Sequence, residues 1–151
     1  MNLQEELKAL KERIAELEEL AKEEQEFPQS GERYWYIGKI GTGCWGVWED
    51  SSVDKHLKSI GNVFETEEEA EFAVEKLKVE SELRKFSRPF GIEGFNYCIL
   101  GDLEEGRVDV MCRAYLPTQG TIYFESAEKA QQAIDSVGEE RIKKYIFGVE
   151  D

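Results

Sequence analysis

Residues that could carry catalysis are few and poorly grouped. The one histidine, His56, follows Asp54 by two positions in a polar stretch, with no serine or cysteine nucleophile in a recognisable motif beside it. The constellation that would activate a nucleophile is therefore missing, and an exposed histidine is expected. Cys44, Cys98 and Cys112 are odd in number and show neither C-x-x-C nor Cys/His ligand spacing. They read as free buried thiols of a reducing compartment. Gly41-Thr42-Gly43 lacks the further glycine and the Lys-Ser or Lys-Thr of a phosphate-cradling loop, so it reads as a hairpin turn. Asp50, Asp54, Asp102, Glu104, Glu105 and Asp109 lie in or beside turns, but not with the alternating oxygen ligands around a fixed glycine that a hard cation demands. The expectation is a protein that is not an enzyme and takes neither metal nor cofactor.

The chemistry that the sequence does offer is recognition. Tyr34, Trp35, Tyr36, Trp45 and Trp48 crowd one stretch, flanked by Arg33, Lys39, Lys55 and Lys58. A two-stranded ribbon cannot bury five large rings, and exposed Trp and Tyr anchor interfaces or stack on flat ligands. Tyr34, Tyr36, Trp45 and Trp48 are the expected partner-binding set. The competing expectation is that three or four of the rings are core. A second set, Arg107 and Arg113 with Tyr97 and Tyr115, suggests the alternative of holding a nucleotide by stacking and phosphate pairing.

Charge narrows the choice of partner. Thirty-three Asp and Glu oppose nineteen Lys and Arg, for a formal net charge of -14. Nucleic acid and anionic lipid reward clustered Lys and Arg, so direct binding to either is disfavoured, and a basic protein partner is favoured. The plainer reading is that the acidity serves solubility. No apolar run approaches membrane-spanning length and the N-terminus is charged rather than signal-like, so a soluble cytoplasmic protein is expected.

The elements that must position these residues follow from periodicity. Residues 1–26 read as a helix in which Leu3, Leu7, Leu10, Ile14, Leu17 and Ala21 alternate steps of four and three, the a/d seam of a coiled coil. So narrow a stripe favours self-association over docking on the protein's own body, although Leu20 widens it. No seam position is Asn or Lys, and the parallel and antiparallel arrangements both remain open. Phe27-Pro28-Gln29-Ser30-Gly31 is a hinge. A first unit, residues 27–90, has strands at Arg33–Ile40 and Cys44–Trp48, and a short helical piece capped by Ser52 or Asp54. A strand at Asn62–Phe64 follows, then a helix capped by Thr66 with Glu69, whose face carries Ala70, Ala73, Val74 and Leu77. Sixty positions on, Phe64, Glu65, Thr66, Ala70, Ala73, Val74 and Leu77 become Phe124, Glu125, Ser126, Ala130, Ala133, Ile134 and Val137.

The second unit, residues 91–151, accordingly has strands at Phe95–Leu100, Arg107–Leu116 and Thr121–Phe124. A helix runs from Ala127 to about Val137, Gly138 caps it, and a final short helix follows. The expected fold is α+β: an N-terminal coiled-coil helix, then two repeated β-β-β-α units with antiparallel sheet and their helices packed on one side, the sequence leaving open one continuous sheet of about six strands or two small sheets.

Tyr34-Trp35-Tyr36-Ile37, Gly61-Asn62-Val63-Phe64-Glu65-Thr66, Ile122-Tyr123-Phe124-Glu125-Ser126 and Lys143-Lys144-Tyr145 carry a resemblance that spans residues 27–149. On these motifs the chain resembles a family of small proteins encoded by phages and prophages of Gram-positive bacteria. The motifs are structural, and the family brings no assigned site. The resemblance implies a phage protein acting in the host cytoplasm by stoichiometric binding to a host defence machine, in the manner of anti-CRISPR or anti-restriction inhibitors. Sequestration of a nucleotide immune signal and a scaffolding role through the coiled coil are the alternatives.

Overall fold

A computed structural model describes residues 2–149. The chain is α+β and divides into two compact units, Met1–Ala70 and Glu71–Asp151, so that the division falls inside a helix rather than after it, where the sequence reading placed it.

The first unit begins with α1 (Leu3–Gln25). Its start is fixed by Asn2, whose Oδ1 accepts from the Glu5 backbone N–H at 2.9 Å while the Glu5 carboxylate accepts from the Asn2 backbone N–H at 3.1 Å. This reciprocal cap satisfies two donors that a helix end leaves orphaned. Strands β1 (Arg33–Ile37) and β2 (Gly43–Val47) form an antiparallel hairpin in which Trp35 faces Trp45 and Arg33 faces Val47. Helix α2 (Ser52–Ser59) starts from Ser51, not from Ser52 or Asp54 as expected: Ser51 is the N-cap and Asp54 is the third helical residue of the capping box. Either reading puts a side-chain oxygen over the first turn. The structure selects Ser51 because Asp54 is needed below it, against Tyr34.

The strand expected at Asn62–Phe64 is reduced to one paired residue. Phe64 and Trp35 exchange both backbone hydrogen bonds at 2.8 Å. Two residues earlier the Asn62 side chain takes the place of a strand backbone, accepting from the Ile37 N–H at 2.7 Å and donating to the Ile37 carbonyl at 3.0 Å. An amide side chain carries the same donor and acceptor as a peptide group, so no further ladder forms.

Helix α3 (Glu67–Arg84) is capped by Thr66, whose Oγ1 accepts from the Glu69 N–H at 3.2 Å, while the Glu69 carboxylate reaches the Glu65 N–H at 3.1 Å. Its buried residues are Ala70, Val74, Val79 and Leu83, whereas Leu77, expected on the core face, is 56% exposed. At about 100° per residue, Val79 lies half a turn around the helix from Ala70. The helix therefore buries one side near its start and the opposite side near its end, and Leu77 lies on the first side after it has ceased to be covered.

In the second unit, β3 (Asn96–Asp102) and β4 (Arg107–Arg113) form an antiparallel hairpin in which Tyr97 faces Cys112 and Ile99 faces Val110. Helices α4 (Ala127–Val137) and α5 (Glu139–Tyr145) follow. Ser126 caps α4 as expected, accepting from the Lys129 N–H at 3.1 Å. Gly138, at φ +100°, ends α4 and admits α5 directly, a conformation that favours glycine. Val79, Leu83, Phe124, Ala130, Ala133, Ile134, Val137 and Ile142 form the core, with Tyr97, Ile99, Val108 and Val110 of the hairpin packed against it. Gly101 has no side chain because the Phe147 ring occupies the space: a Cβ there would lie 2.7 Å from the ring.

Here too the third strand is absent. Phe124 pairs only with Tyr97, and Tyr123 only with Arg88. The expectation of three-stranded repeated units is therefore corrected to two separate two-stranded sheets. The repeat is also imperfect: sixty positions on from Trp35 is Phe95, yet the residue that pairs with Phe124 is Tyr97. This slip of two residues keeps the strand faces in phase while changing every cross-strand neighbour. Among the described residues, helix α2 has no counterpart in the second unit and α5 none in the first.

Candidate functional site

The hairpin of the first unit sorts its aromatic residues by strand alternation. On one side are Tyr34 and Tyr36 with Cys44 and Gly46; on the other are Arg33 and Trp35 with Trp45 and Val47. Tyr34 is 3% exposed and Trp48, just beyond β2, is 8% exposed. Their rings meet edge-on with centroids 6.0 Å apart, and Tyr36 adds a tilted contact to Tyr34 at 5.9 Å. Gly46 makes room for Tyr34: a Cβ at that position would lie 3.3 Å from the phenol oxygen.

The phenol of Tyr34 donates to Asp54 Oδ1 at 2.6 Å. Asp54 Oδ2 accepts from the backbone N–H groups of Glu49 and Ser51, at 2.9 and 3.2 Å. The Tyr34 hydrogen bond, helped by the two backbone donors, outweighs burial and holds the Asp54 carboxyl down to about 2. Burial first, then the bond to Asp54 and its charge, push the Tyr34 phenol up. A buried carboxylate this well satisfied is a structural tie between α2 and the hairpin. Of the four residues expected to bind a partner, Tyr34 and Trp48 are therefore core, and Tyr36 is half-buried beside them.

Trp45 is the ring that reaches solvent. It is 54% exposed, and the Arg33 guanidinium lies 4.2 Å from its ring centroid. Val47, the next residue on that side of β2, is also exposed. An exposed cation–π contact of this kind is worth about 0.5–1 kcal/mol and biases the indole toward the conformer that meets Arg33. An open cleft of about 780 Å³ lies elsewhere in this unit, with Trp48 among its lining and Glu26, Pro28, Asp50, Lys55 and Lys58 around it. Its lysines face acidic partners, Lys55 at 3.6 Å from Asp50 and Lys58 at 3.6 Å from Glu26. His56 is exposed, as expected.

The second expected set is dispersed. Arg107 and Arg113 stand at opposite ends of β4, six residues apart, a separation of roughly 20 Å along a strand. Arg107 pairs with Asp109 at 3.0 Å. Arg113 lies beside Cys98, where it partly offsets the burial that pushes this thiol up. Tyr97 packs against the core and Tyr115 is exposed at φ +72°. Of the three cysteines, Cys98 is buried as expected, Cys44 is half-buried and Cys112 is exposed, which corrects the expectation of three buried thiols.

Sequence reasoning missed one feature of this unit. Buried Asn96 accepts from the Gly91 N–H at 2.8 Å and from Arg88 at 3.1 Å, and donates to the Gly91 carbonyl at 2.8 Å. This clamp shapes the loop that precedes β3, and the loop carries exposed Ile92 and Phe95. A lone Asn between a glycine-rich stretch and a strand gives no pattern that announces such a role.

The seam of α1 remains open within the chain. Leu3, Leu7, Leu10, Ile14 and Leu17 are between 49% and 83% exposed, and Leu20 is 50% exposed. Glutamates in this helix outnumber lysine and arginine two to one.

Among the described residues no helix is long and apolar enough to cross a membrane, and no group of three or more His, Cys, Asp or Glu could hold a metal. The clearly perturbed carboxylates, Asp54 and Glu82, are each tied to a structural partner, Tyr34 and Arg141. Compared with protein-family models, with curated proteins and with solved structures, the chain matches none.

Proposed function

We propose that this chain is a non-enzymatic binding protein, assembled through α1, that occupies a basic surface of a nucleic-acid-handling protein. In the setting that the phage-family resemblance implies, the target is a host defence machine in the bacterial cytoplasm, and binding inhibits it stoichiometrically. The observation that carries the reading is Trp45: a large ring left in solvent on the outer face of a hairpin, with the Arg33 guanidinium 4.2 Å from its centroid, in a chain of net charge -14. Acidic surface steers a basic partner toward the molecule, and an exposed aromatic supplies the desolvated contact that steering alone does not give. The nucleotide-sequestering alternative gains nothing from this geometry, since its two arginines do not converge.

The test is affinity capture of partners from host lysate by the tagged chain at low and high salt, with Trp45→Ala and Tyr34→Phe run in parallel. A basic protein retained at low salt, released at high salt and lost with Trp45→Ala supports the reading. Capture that ignores both salt and Trp45→Ala overturns it.

A further inference from the structure

The open seam of α1 asks for an occupant, and the charges beside it specify one. With Leu3, Leu10 and Leu17 at d and Leu7, Ile14 and Ala21 at a, the positions flanking the seam are Glu6, Arg13 and Leu20 on one side (g) and Gln4, Lys11 and Glu18 on the other (e). In a parallel, in-register pair each g residue meets the e residue five positions later on the partner. Glu6 then meets Lys11, and Arg13 meets Glu18, twice over by symmetry. In the antiparallel pair that covers the whole seam, g meets g and e meets e. Arg13 then faces Arg13, Lys11 faces Lys11, and no opposite charges meet. Sliding the antiparallel pair by a heptad recovers an opposite pair only by uncovering Leu17, or Leu3 and Leu7.

We infer that α1 is occupied by α1 of a second copy, as a parallel, in-register, two-stranded coiled coil. Resting on the self-association in the proposed function, this adds its number and direction. Leucine at every d position and a β-branched residue at the central a position favour two strands over three or four. The flanking groups are available. Arg13 pairs within its own helix with Glu16 at 3.0 Å, and both side chains are more than 60% exposed, so this contact exchanges readily. Parallel pairing has a functional consequence. Both helices end at the same side, with axes about 10 Å apart, so the two hinges at Pro28 leave together, and two Trp45 surfaces act on one target with the gain of bivalency.

The test is a charge-swap cycle on the full chain at low salt, with dimer dissociation read by sedimentation equilibrium. Glu6 and Lys11 are five residues apart and so do not pair within one helix. In the parallel arrangement Glu6→Lys or Lys11→Glu alone puts like charges together twice and weakens the dimer about tenfold, whereas the double swap recovers wild-type dissociation to within about threefold. Single swaps without effect, or a double swap weaker than either single, would overturn the parallel direction while leaving self-association standing. A trimeric mass overturns the two-stranded count. A monomer at every concentration overturns the assembly itself.

Discussion

Replacing Tyr34 by Phe removes one oxygen and tests whether that residue is a contact or a tie. The phenol makes the shortest bond to a carboxylate that is 5% exposed, and it is the largest cause of the low Asp54 value. An Asp carboxyl that titrates near 2 in the folded chain and near 3.8 when free contributes stability that is fully present above about pH 4. That contribution is lost as pH falls toward 2, and the separation corresponds to about 2.5 kcal/mol. Since Tyr34 supplies the largest share, Tyr34→Phe should cost about 2 kcal/mol at pH 7, within the usual range for a hydrogen bond to a charged group. The cost should shrink as pH falls from about 4 through 2, because the carboxyl becomes protonated first in the variant and then, through its folded value, in the wild type. All three tryptophans, Trp35, Trp45 and Trp48, lie in the first unit, so urea unfolding followed by tryptophan fluorescence reads this unit alone. The other carboxylates titrate equally in both proteins, so they cancel from the difference. A Tyr34→Phe protein as stable as wild type at pH 7, or a deficit that stays constant from pH 5 to pH 2, would refute the tie.

Other changes probe the second unit and the surface. Gly101→Ala drives a methyl group into the Phe147 ring and should cost about 1–3 kcal/mol, seen as a lower urea midpoint by far-UV circular dichroism. Ser126→Ala removes the α4 cap and should cost about 1 kcal/mol by the same measurement. Arg141→Ala breaks the pair with Glu82 at 2.6 Å, but both side chains are 39% exposed, so the loss should stay at about 0.5–1 kcal/mol and decline with salt. Native protein treated with a thiol reagent should be modified first at Cys112, with Cys98 reacting only on unfolding, as peptide mapping would show.

Much of the local structure was legible because it is written in local spacing. The seam of α1, the cap at Thr66, the cap at Ser126 and the glycine after α4 each depend on residues within one or two turns of each other, and each lies where the periodicity put it. The α4 face of Ala130, Ala133, Ile134 and Val137 is buried throughout for the same reason. The matching face of α3 failed at Leu77, because a single stripe presumes one covering surface along the helix, and this helix is covered on opposite sides at its two ends. Pattern also found the aromatic hairpin as the candidate site but could not divide it. Which rings are core depends on strand phase, and phase was settled by an aspartate twenty residues from Tyr34 that takes its phenol proton into a hydrogen bond. The first sheet stopped at two strands for a like reason. Asn62, a distant side chain in sequence terms, fills the hydrogen-bonding positions beside Ile37 that a third strand would have used.

Sequence by itself determined the helices, the caps at Thr66 and Ser126, the acidity and the apolar stripe of α1, because these arise from neighbours along the chain. Tertiary structure alone decided that Tyr34 and Trp48 are interior while Trp45 faces water, and that Arg107 and Arg113 stay apart. Burial and convergence are properties of residues brought together from far along the chain, and no local period encodes them.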